Sequence, residues 1–159
     1  MALRMRSPLP SLAGVETWIN GEPPSEAELA GKPVVVQFWS MSCYVCHDTA
    51  EQVAQWRERF APQGVVFVAV HQPRGPHELD LLEVTDDALE AMRLTQPCAI
   101  DNDHALVDRF ENQFVPAFYV FNREHRLRHF QAGDKGYDRI VAAIERVLVE
   151  EPAELPAGV

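Results

Sequence analysis

The chain has 159 residues, of which 47% are hydrophobic, and its 24 acidic residues against 14 basic ones give a formal net charge of −10. This length and composition favour one soluble globular domain over a disordered chain, and the negative charge argues against a nucleic-acid partner. Three cysteines are too few for a framework of structural disulfides.

The N-terminus carries basic residues, but Pro8, Pro10 and Gly14 interrupt it before any apolar stretch is long enough for a signal peptide or a membrane span. We therefore expect a cytoplasmic protein without a membrane span. An extracytoplasmic domain whose signal or anchor is absent from this sequence would look the same.

Proline-rich ends predict a flexible segment over residues 1–14 and a frayed tail over residues 151–159, which leaves one domain over residues 15–150. The first predicted elements of this domain are a short extended piece at Glu16–Ile19, a turn at Asn20-Gly21, and a short helix from about Glu26 to Ala30 that starts with a capping box of Ser25 and Glu28.

The run from Val34 to Trp39 is apolar at almost every position, which predicts a strand buried on both faces. A polar turn and the C-x-x-C of Cys43 and Cys46 follow. Apolar residues then recur at helical intervals, so we expect one helix from about Cys43 to Ala61. Both cysteines thus lie in the first turn of a helix, where unpaired backbone N–H groups and the positive dipole end favour the thiolate of Cys43.

A second apolar run, from Val65 to Val70, predicts a strand parallel to the first, because the helix between them makes a right-handed βαβ unit. The carboxyl ends of the two strands share one edge of the sheet. His71, directly after the second strand, is therefore expected near Cys43.

Residues 77–84 favour a helical turn or a covering segment whose leucines lie on the core, namely Leu79, Leu81 and Leu82. Thr85 is the predicted cap of the next helix, which continues to about Leu94 with Asp86 and Asp87 at its positive end.

The remaining elements alternate in type. In order, the sequence predicts a strand from Pro97 to Ile100, a helix from about Asp103 to Asn112, a strand from Val115 to Phe121, its hairpin partner from Arg126 to Gln131, and an amphipathic helix from Tyr137 to about Glu150.

A strand ending in Phe-Trp, a C-x-x-C at a helix start and a later Val-Pro opening a hairpin strand together resemble the thioredoxin fold, over about residues 18–148. Three further motifs, W-I-N-G-E-P, A-V-H-Q-P and G-D-K-G-Y-D, are most similar to the TlpA/DipZ-like thiol-disulfide oxidoreductases of that superfamily. The resemblance implies an α/β domain in which helices flank a central mixed β-sheet, with an N-terminal extension and a helix–strand insertion in mid-domain.

The resemblance also implies roles for named residues. Cys43 is the expected nucleophile, Cys46 the resolving thiol, and Val115-Pro116 a cis peptide packed against them, with the backbone of Val115 pairing with the substrate chain. The attacking thiolate forms a mixed disulfide that the second thiol resolves. We expect a monomer that exchanges dithiol for disulfide with protein substrates in the reducing direction. An upstream electron donor or acceptor would restore its redox state, and no cofactor or metal is expected.

One departure concerns the proton of the resolving thiol. Thioredoxins usually carry a buried Asp six positions before the first cysteine, where this chain has Gln37, which cannot titrate. Either water serves instead, or a group near the sheet edge does, with Glu78, His71 and Asp101 as candidates. Trp39 either shields the disulfide or is a core aromatic.

Other readings of the cysteines remain. C-Y-V-C-H, through His47, matches the c-type haem attachment motif, but that chemistry needs an exported chain. A zinc site using Cys43, Cys46, Cys98 and a histidine lacks a second C-x-x-C, and Cys98 is better explained as a buried small hydrophobe. His47 is either solvated or tunes the Cys43 thiolate. A peroxide-reducing enzyme would need a lone peroxidatic cysteine, and a non-catalytic binding module would leave the thiols incidental.

Overall fold

The computed structural model describes residues 2–150, which form a six-stranded mixed sheet in the order β1-β4-β3-β2-β5-β6. The strands are β1 (Thr17–Ile19), β2 (Val34–Trp39), β3 (Val66–His71), β4 (Cys98–Ile100), β5 (Ala117–Phe121) and β6 (Leu127–Ala132). The neighbours β2, β3 and β4 are parallel, whereas β1, β5 and β6 pair antiparallel. The βαβ unit and the hairpin predicted from the sequence are both present.

The α-helices are α1 (Glu26–Leu29), α2 (Tyr44–Asp48), α3 (Ala50–Phe60), α4 (Leu81–Asp86), α5 (Ala105–Phe110) and α6 (Tyr137–Val149). Short 3₁₀ turns lie at Ala61–Gln63 and Pro76–Leu79, and α4 continues as a π-helical turn over Asp87–Ala91. Within the described residues, no helix is both long and apolar enough to cross a membrane.

Alternation along the buried strands places two apolar layers on opposite faces of the sheet. On one face, α3 and α6 pack against inward side chains such as Val35 and Phe118. On the other face, α5 packs against a layer that includes Val36 and Phe38. A third cluster contains Trp39, both cysteines of the C-x-x-C and Cys98. The redox motif therefore emerges directly from the core at the carboxyl end of β2.

The single helix predicted from Cys43 to Ala61 is wrong, because the structure divides it at Thr49 into α2 and α3. The Thr49 hydroxyl donates a hydrogen bond of 2.9 Å to the carbonyl of Val45. Such bonding of a threonine hydroxyl to the preceding turn competes with the helical pattern and bends the chain. The redox turn is therefore a short helix with its own end.

The assignment around Thr85 is also wrong. The helix begins earlier, at Leu81, where the Asp80 carboxylate caps it by accepting the backbone N–H of Glu83 at 3.1 Å. Leucines expected on the core are instead exposed, at 48% for Leu79, 44% for Leu81 and 77% for Leu82. With the earlier start, the residues that face the core at intervals of four are Val84, Ala88 and Met92.

The N-terminal segment, expected to be flexible, makes defined contacts in the structure. The backbone N–H of Arg6 donates to the carbonyl of Leu127 at 2.8 Å, and the Leu127 N–H donates to Ser7 at 2.9 Å. Further along, Leu12 is buried in the core. The predicted frayed tail at 151–159 lies outside the described residues.

Candidate active site

Cys43 and Cys46 form a disulfide, with their Cα atoms 5.3 Å apart. Cys43 is the N-cap residue of α2, and its sulfur accepts the backbone N–H of Cys46 at 3.0 Å. Only 3% of Cys43 and 2% of Cys46 is exposed. The same N–H, at the positive end of the helix, is placed to stabilise a thiolate on Cys43 in the reduced protein.

The peptide bond between Val115 and Pro116 is cis, immediately before β5. Val115 is partly buried and packs against the cluster that holds both cysteines. Two large side chains are exposed on nearby chain segments, Tyr44 at 80% and Phe114 at 66%. They give the surface next to the disulfide an apolar character that suits contact with another polypeptide.

The loop that leads into Cys43 is anchored by two buried side chains, and the structure thereby brings the predicted His71 and Glu78 to the site. The backbone N–H of Met41 donates to Nε2 of His71 at 3.2 Å. The Ser42 N–H and hydroxyl donate to the Glu78 carboxylate at 3.1 and 2.8 Å. The Arg74 N–H adds a third hydrogen bond to that carboxylate at 3.0 Å.

These contacts fix the charge of both anchors. Burial raises the pKa of Glu78, but the hydrogen bonds from Ser42 and Arg74 outweigh it and hold that pKa below its ordinary value. Burial lowers the pKa of His71 to about 4, against the attraction of Glu78. His71 is therefore neutral at pH 7, with its hydrogen on Nδ1, which has no hydrogen-bond partner.

Trp39 lies behind the disulfide as a fully buried core aromatic in the same cluster as the two cysteines. Its ring packs edge to face on His71 with centroids 4.7 Å apart. Cys98 is in this cluster too, and burial raises the pKa of its thiol to about 12. Cys98 is thus a protonated, unpaired thiol in the core.

Asp101, offered from the sequence as a group for the resolving thiol's proton, has a different partner. Its two carboxylate oxygens accept the backbone N–H groups of Leu106 and Val107 at 3.1 and 2.9 Å, at the start of α5. Gln37 is buried and accepts a long hydrogen bond of 3.4 Å from Gln96. Of the three candidates, only Glu78 and His71 lie against the redox loop.

His47 is not simply solvated. Its Nδ1 lies 2.7 Å from the carbonyl oxygen of Cys43, and its Nε2 lies 2.6 Å from Oδ2 of Asp87. Neither nitrogen is free to ligate a haem iron, and the two motif cysteines are bonded to each other. Asp87 was not predicted as a partner of the site, because its contact with His47 joins two helices 40 positions apart in the sequence.

The sequence did not reveal that Ser42 and Arg74 complete the anchor at Glu78. Besides its backbone contact, Arg74 donates from Nε to the Ser42 hydroxyl oxygen at 3.1 Å. A serine directly before a cysteine motif and an arginine in a Pro-Gly loop are common surface residues. The polar stretch from Gln72 to Glu78 at the end of a central strand was the one available signal.

Comparison with known proteins gives four findings. The sequence model of the AhpC/TSA family matches residues 8–130. Thiol-disulfide oxidoreductase YkuV of Bacillus subtilis (strain 168) is 43% identical over 148 residues, which cover 93% of this chain and 99% of that protein. Protein DipZ of Mycobacterium bovis is 28% identical over 87% of this chain, but the match covers 20% of that protein's length.

The fourth finding concerns a solved structure. A thioredoxin-like protein in its oxidised form, determined in solution, has a TM-score of 0.81 to this chain at 41% identity, over 92% of this chain and 97% of that one. The predicted thioredoxin-like fold is thereby confirmed.

Proposed function

Because the chain belongs to the AhpC/TSA family and is a thiol-disulfide oxidoreductase with a thioredoxin-like fold, we propose that Cys43 and Cys46 reduce disulfide bonds of partner proteins. The arrangement of the backbone around the redox pair supports this proposal. Cys43 caps α2, its sulfur accepts the Cys46 N–H, and Val115 of the cis peptide packs against the cluster that holds the pair.

The reaction proceeds in two exchanges. The Cys43 thiolate attacks one sulfur of the substrate disulfide, which forms a mixed disulfide and releases the other substrate sulfur as a thiolate that takes a proton. Cys46 then loses its proton and attacks the Cys43 sulfur. The second substrate thiol leaves, and the Cys43–Cys46 disulfide remains. Two electrons pass to the substrate, and an upstream thiol donor restores the dithiol.

We assign the proton of Cys46 to water. Gln37 cannot titrate, and the hydrogen bonds that lower the pKa of Glu78 make its carboxylate a weak base. His71, with a pKa of about 4, is equally unsuited to take a proton from a thiol. The two anchors therefore hold the loop, while solvent supplies the proton transfer.

The reducing direction belongs to a reducing compartment, and we propose the cytoplasm. Cysteine usage supports this, since Cys98 is buried and unpaired, and the redox pair is the one disulfide among the three cysteines.

We also propose a monomer, because a substrate must reach the disulfide across the exposed Tyr44 and Phe114. Size-exclusion chromatography of the purified protein tests the monomer.

Substrate trapping tests the mechanism. Cys46→Ser, mixed in reduced form with insulin as a protein disulfide, is expected to accumulate a mixed disulfide at Cys43, whereas Cys43→Ser accumulates none. Cys98→Ala is the matched control and is expected to turn over like the wild type. A mixed disulfide that formed in Cys43→Ser to the same extent as in Cys46→Ser would contradict the assigned roles. A wild-type protein that bound insulin but did not reduce it would indicate a binding module.

The reduction potential tests the direction. The purified protein is equilibrated in glutathione or dithiothreitol buffers, and the fraction of the Cys43–Cys46 disulfide is measured. A potential near ~−270 mV supports a reductase, whereas a value near ~−120 mV would indicate an oxidant. If the pair formed no reversible disulfide, the exchange function itself would be wrong.

A further inference from the structure

His47 lies one helical turn after Cys43, between α2 and the helix that runs from Leu81 to Ala91. Its ring is held at both nitrogens, by the Cys43 carbonyl at 2.7 Å and by the Asp87 carboxylate at 2.6 Å. The side chains of His47 and Asp87 are only 26% and 21% exposed. The imidazole is thus fixed between the backbone of the nucleophile and a neighbouring helix.

The partners of His47 define its protonation. A neutral imidazole carries hydrogen on one nitrogen only. Both nitrogens of His47 face oxygen atoms that accept hydrogen bonds, so with Asp87 ionised the doubly protonated ring is the form that satisfies both contacts. Asp87 and the Cys43 carbonyl thus offer one acceptor to each ring nitrogen of His47.

Most other charges around this position are negative. Glu78 lies against Ser42, directly before Cys43. A groove beside Met41 is lined by the carboxylates of the neighbouring helix, namely Glu83, Asp86, Asp87 and Glu90, and Asp48 follows His47 on α2. On the opposite side, Arg74 reaches the Ser42 hydroxyl. The carboxylates oppose a thiolate on Cys43, and a cation at His47 offsets them.

We propose that His47, oriented by Asp87, is a positioning residue that raises the thiolate fraction of Cys43 in the reduced protein. This inference rests on the proposed exchange function and deepens it. The imidazolium places a positive charge at the first turn of α2, where cationic neighbours stabilise a cysteine thiolate. Asp87 keeps the ring charged and directed at the Cys43 carbonyl, so losing either partner affects the same sulfur.

The test measures the thiolate directly. The rate at which iodoacetamide alkylates Cys43 in the reduced protein is followed against pH by mass spectrometry, for the wild type, His47→Gln and Asp87→Asn. We expect the acid dissociation constant of the Cys43 thiol to fall about two- to fivefold in each variant. His129→Gln is the matched control, because this half-buried histidine on β6 contacts Gln131 rather than the site, and it should leave the constant unchanged.

Two further readouts separate this role from simple packing. The double variant is expected to lose no more than the larger single loss, since the two residues act through one contact. Less thiolate also makes the dithiol less stable, so the potential of His47→Gln should fall by about 10–20 mV, at about 30 mV per tenfold change in the equilibrium constant.

An unchanged dissociation constant in His47→Gln and Asp87→Asn would overturn the inference, as would losses that simply add in the double variant. Alkylation needs no protein substrate, so this result does not depend on the exchange reaction. Failure of the proposed function would appear separately, as a wild-type protein that ionises Cys43 normally but does not reduce insulin.

Discussion

Two histidine–carboxylate pairs flank the redox motif, and they differ in burial and in the other partners of each ring. His71 and Glu78 are fully buried, 3.5 Å apart, whereas His47 and Asp87 are partly exposed and 2.6 Å apart. The difference lies in what else each ring meets. His71 faces the Met41 N–H, a donor, while His47 faces the Cys43 carbonyl, an acceptor.

The two rings therefore differ both in burial and in their second partner. Complete burial, with a donor at one nitrogen, keeps His71 neutral, whereas both nitrogens of His47 face oxygen acceptors. The buried pair acts through hydrogen bonds that fix the loop, and the outer pair acts through charge. A histidine and a carboxylate thus hold the loop on one side of the disulfide, and a second such pair acts on the Cys43 thiolate on the other side.

The largest difference between the pairs should appear in stability. Glu78→Ala removes a buried carboxylate that accepts three hydrogen bonds from Ser42 and Arg74, so we expect the free energy of unfolding to fall by about 2–4 kcal/mol. Urea denaturation of the oxidised protein measures it. Glu145→Ala, which removes an exposed surface ion pair with Arg59, should cost under about 1 kcal/mol. Equal losses in the two variants would show that the buried carboxylate of Glu78 contributes no more to stability than an exposed ion pair.

A smaller effect is expected from pH. An unfolded His71 binds a proton near its ordinary pKa of about 6.5, but the folded protein binds it only near a pKa of about 4. The unfolded chain holds more protons between these values, so stability falls as pH falls through that window, by about 1 kcal/mol between pH 6 and pH 5.

His71→Gln serves as the comparison for this pH effect, because it removes the titrating group. Urea denaturation at pH 6 and pH 5 should show a loss smaller by about 1 kcal/mol in this variant than in the wild type. Glu78, whose folded pKa is lowered, destabilises the protein only at more acidic pH and does not enter this range. If the free energy of unfolding changed with pH in the same way in both proteins, His71 would take up its proton as easily in the folded state as in the unfolded state.

The smallest effect belongs to the outer pair. Asp87→Asn should lower the free energy of unfolding by about 0.5–1 kcal/mol at low salt, because the ion pair with His47 is partly exposed. Raising the salt to 1 M should remove most of this difference, whereas the loss in Glu78→Ala should persist. If the loss in Asp87→Asn did not depend on salt, the contact between His47 and Asp87 would be as well shielded from solvent as the pair of His71 and Glu78.

Much of the fold followed from apolar patterning. The run from Val34 to Trp39 and the later Val115 to Phe121 contain enough β-branched and aromatic residues to define central strands, and Cys43 and Cys46 stand where the first one ends. These features depend on local sequence and burial, which periodicity reports directly.

The polar anchors could not be ranked in this way. Glu78, His71 and Asp101 looked equivalent as candidates, and only the positions of neighbouring loops assign the first two to the redox loop and the third to α5. Thr85 and Asp80 are both acceptable helix caps, so the start of α4 was ambiguous. Asp87 escaped notice for another reason, since its partner His47 lies 40 positions away on a different helix and local sequence does not report that contact.

The contacts of the N-terminal segment have a consequence for how molecules meet. Strand β6 is the last strand on its side of the sheet, and such a strand offers free backbone groups to a strand of another molecule. Here Arg6 and Ser7 already occupy the backbone of Leu127, and Pro8 beside Arg126 has no N–H to offer outward. The beginning of this edge is thereby protected against intermolecular strand addition and the aggregation that follows from it.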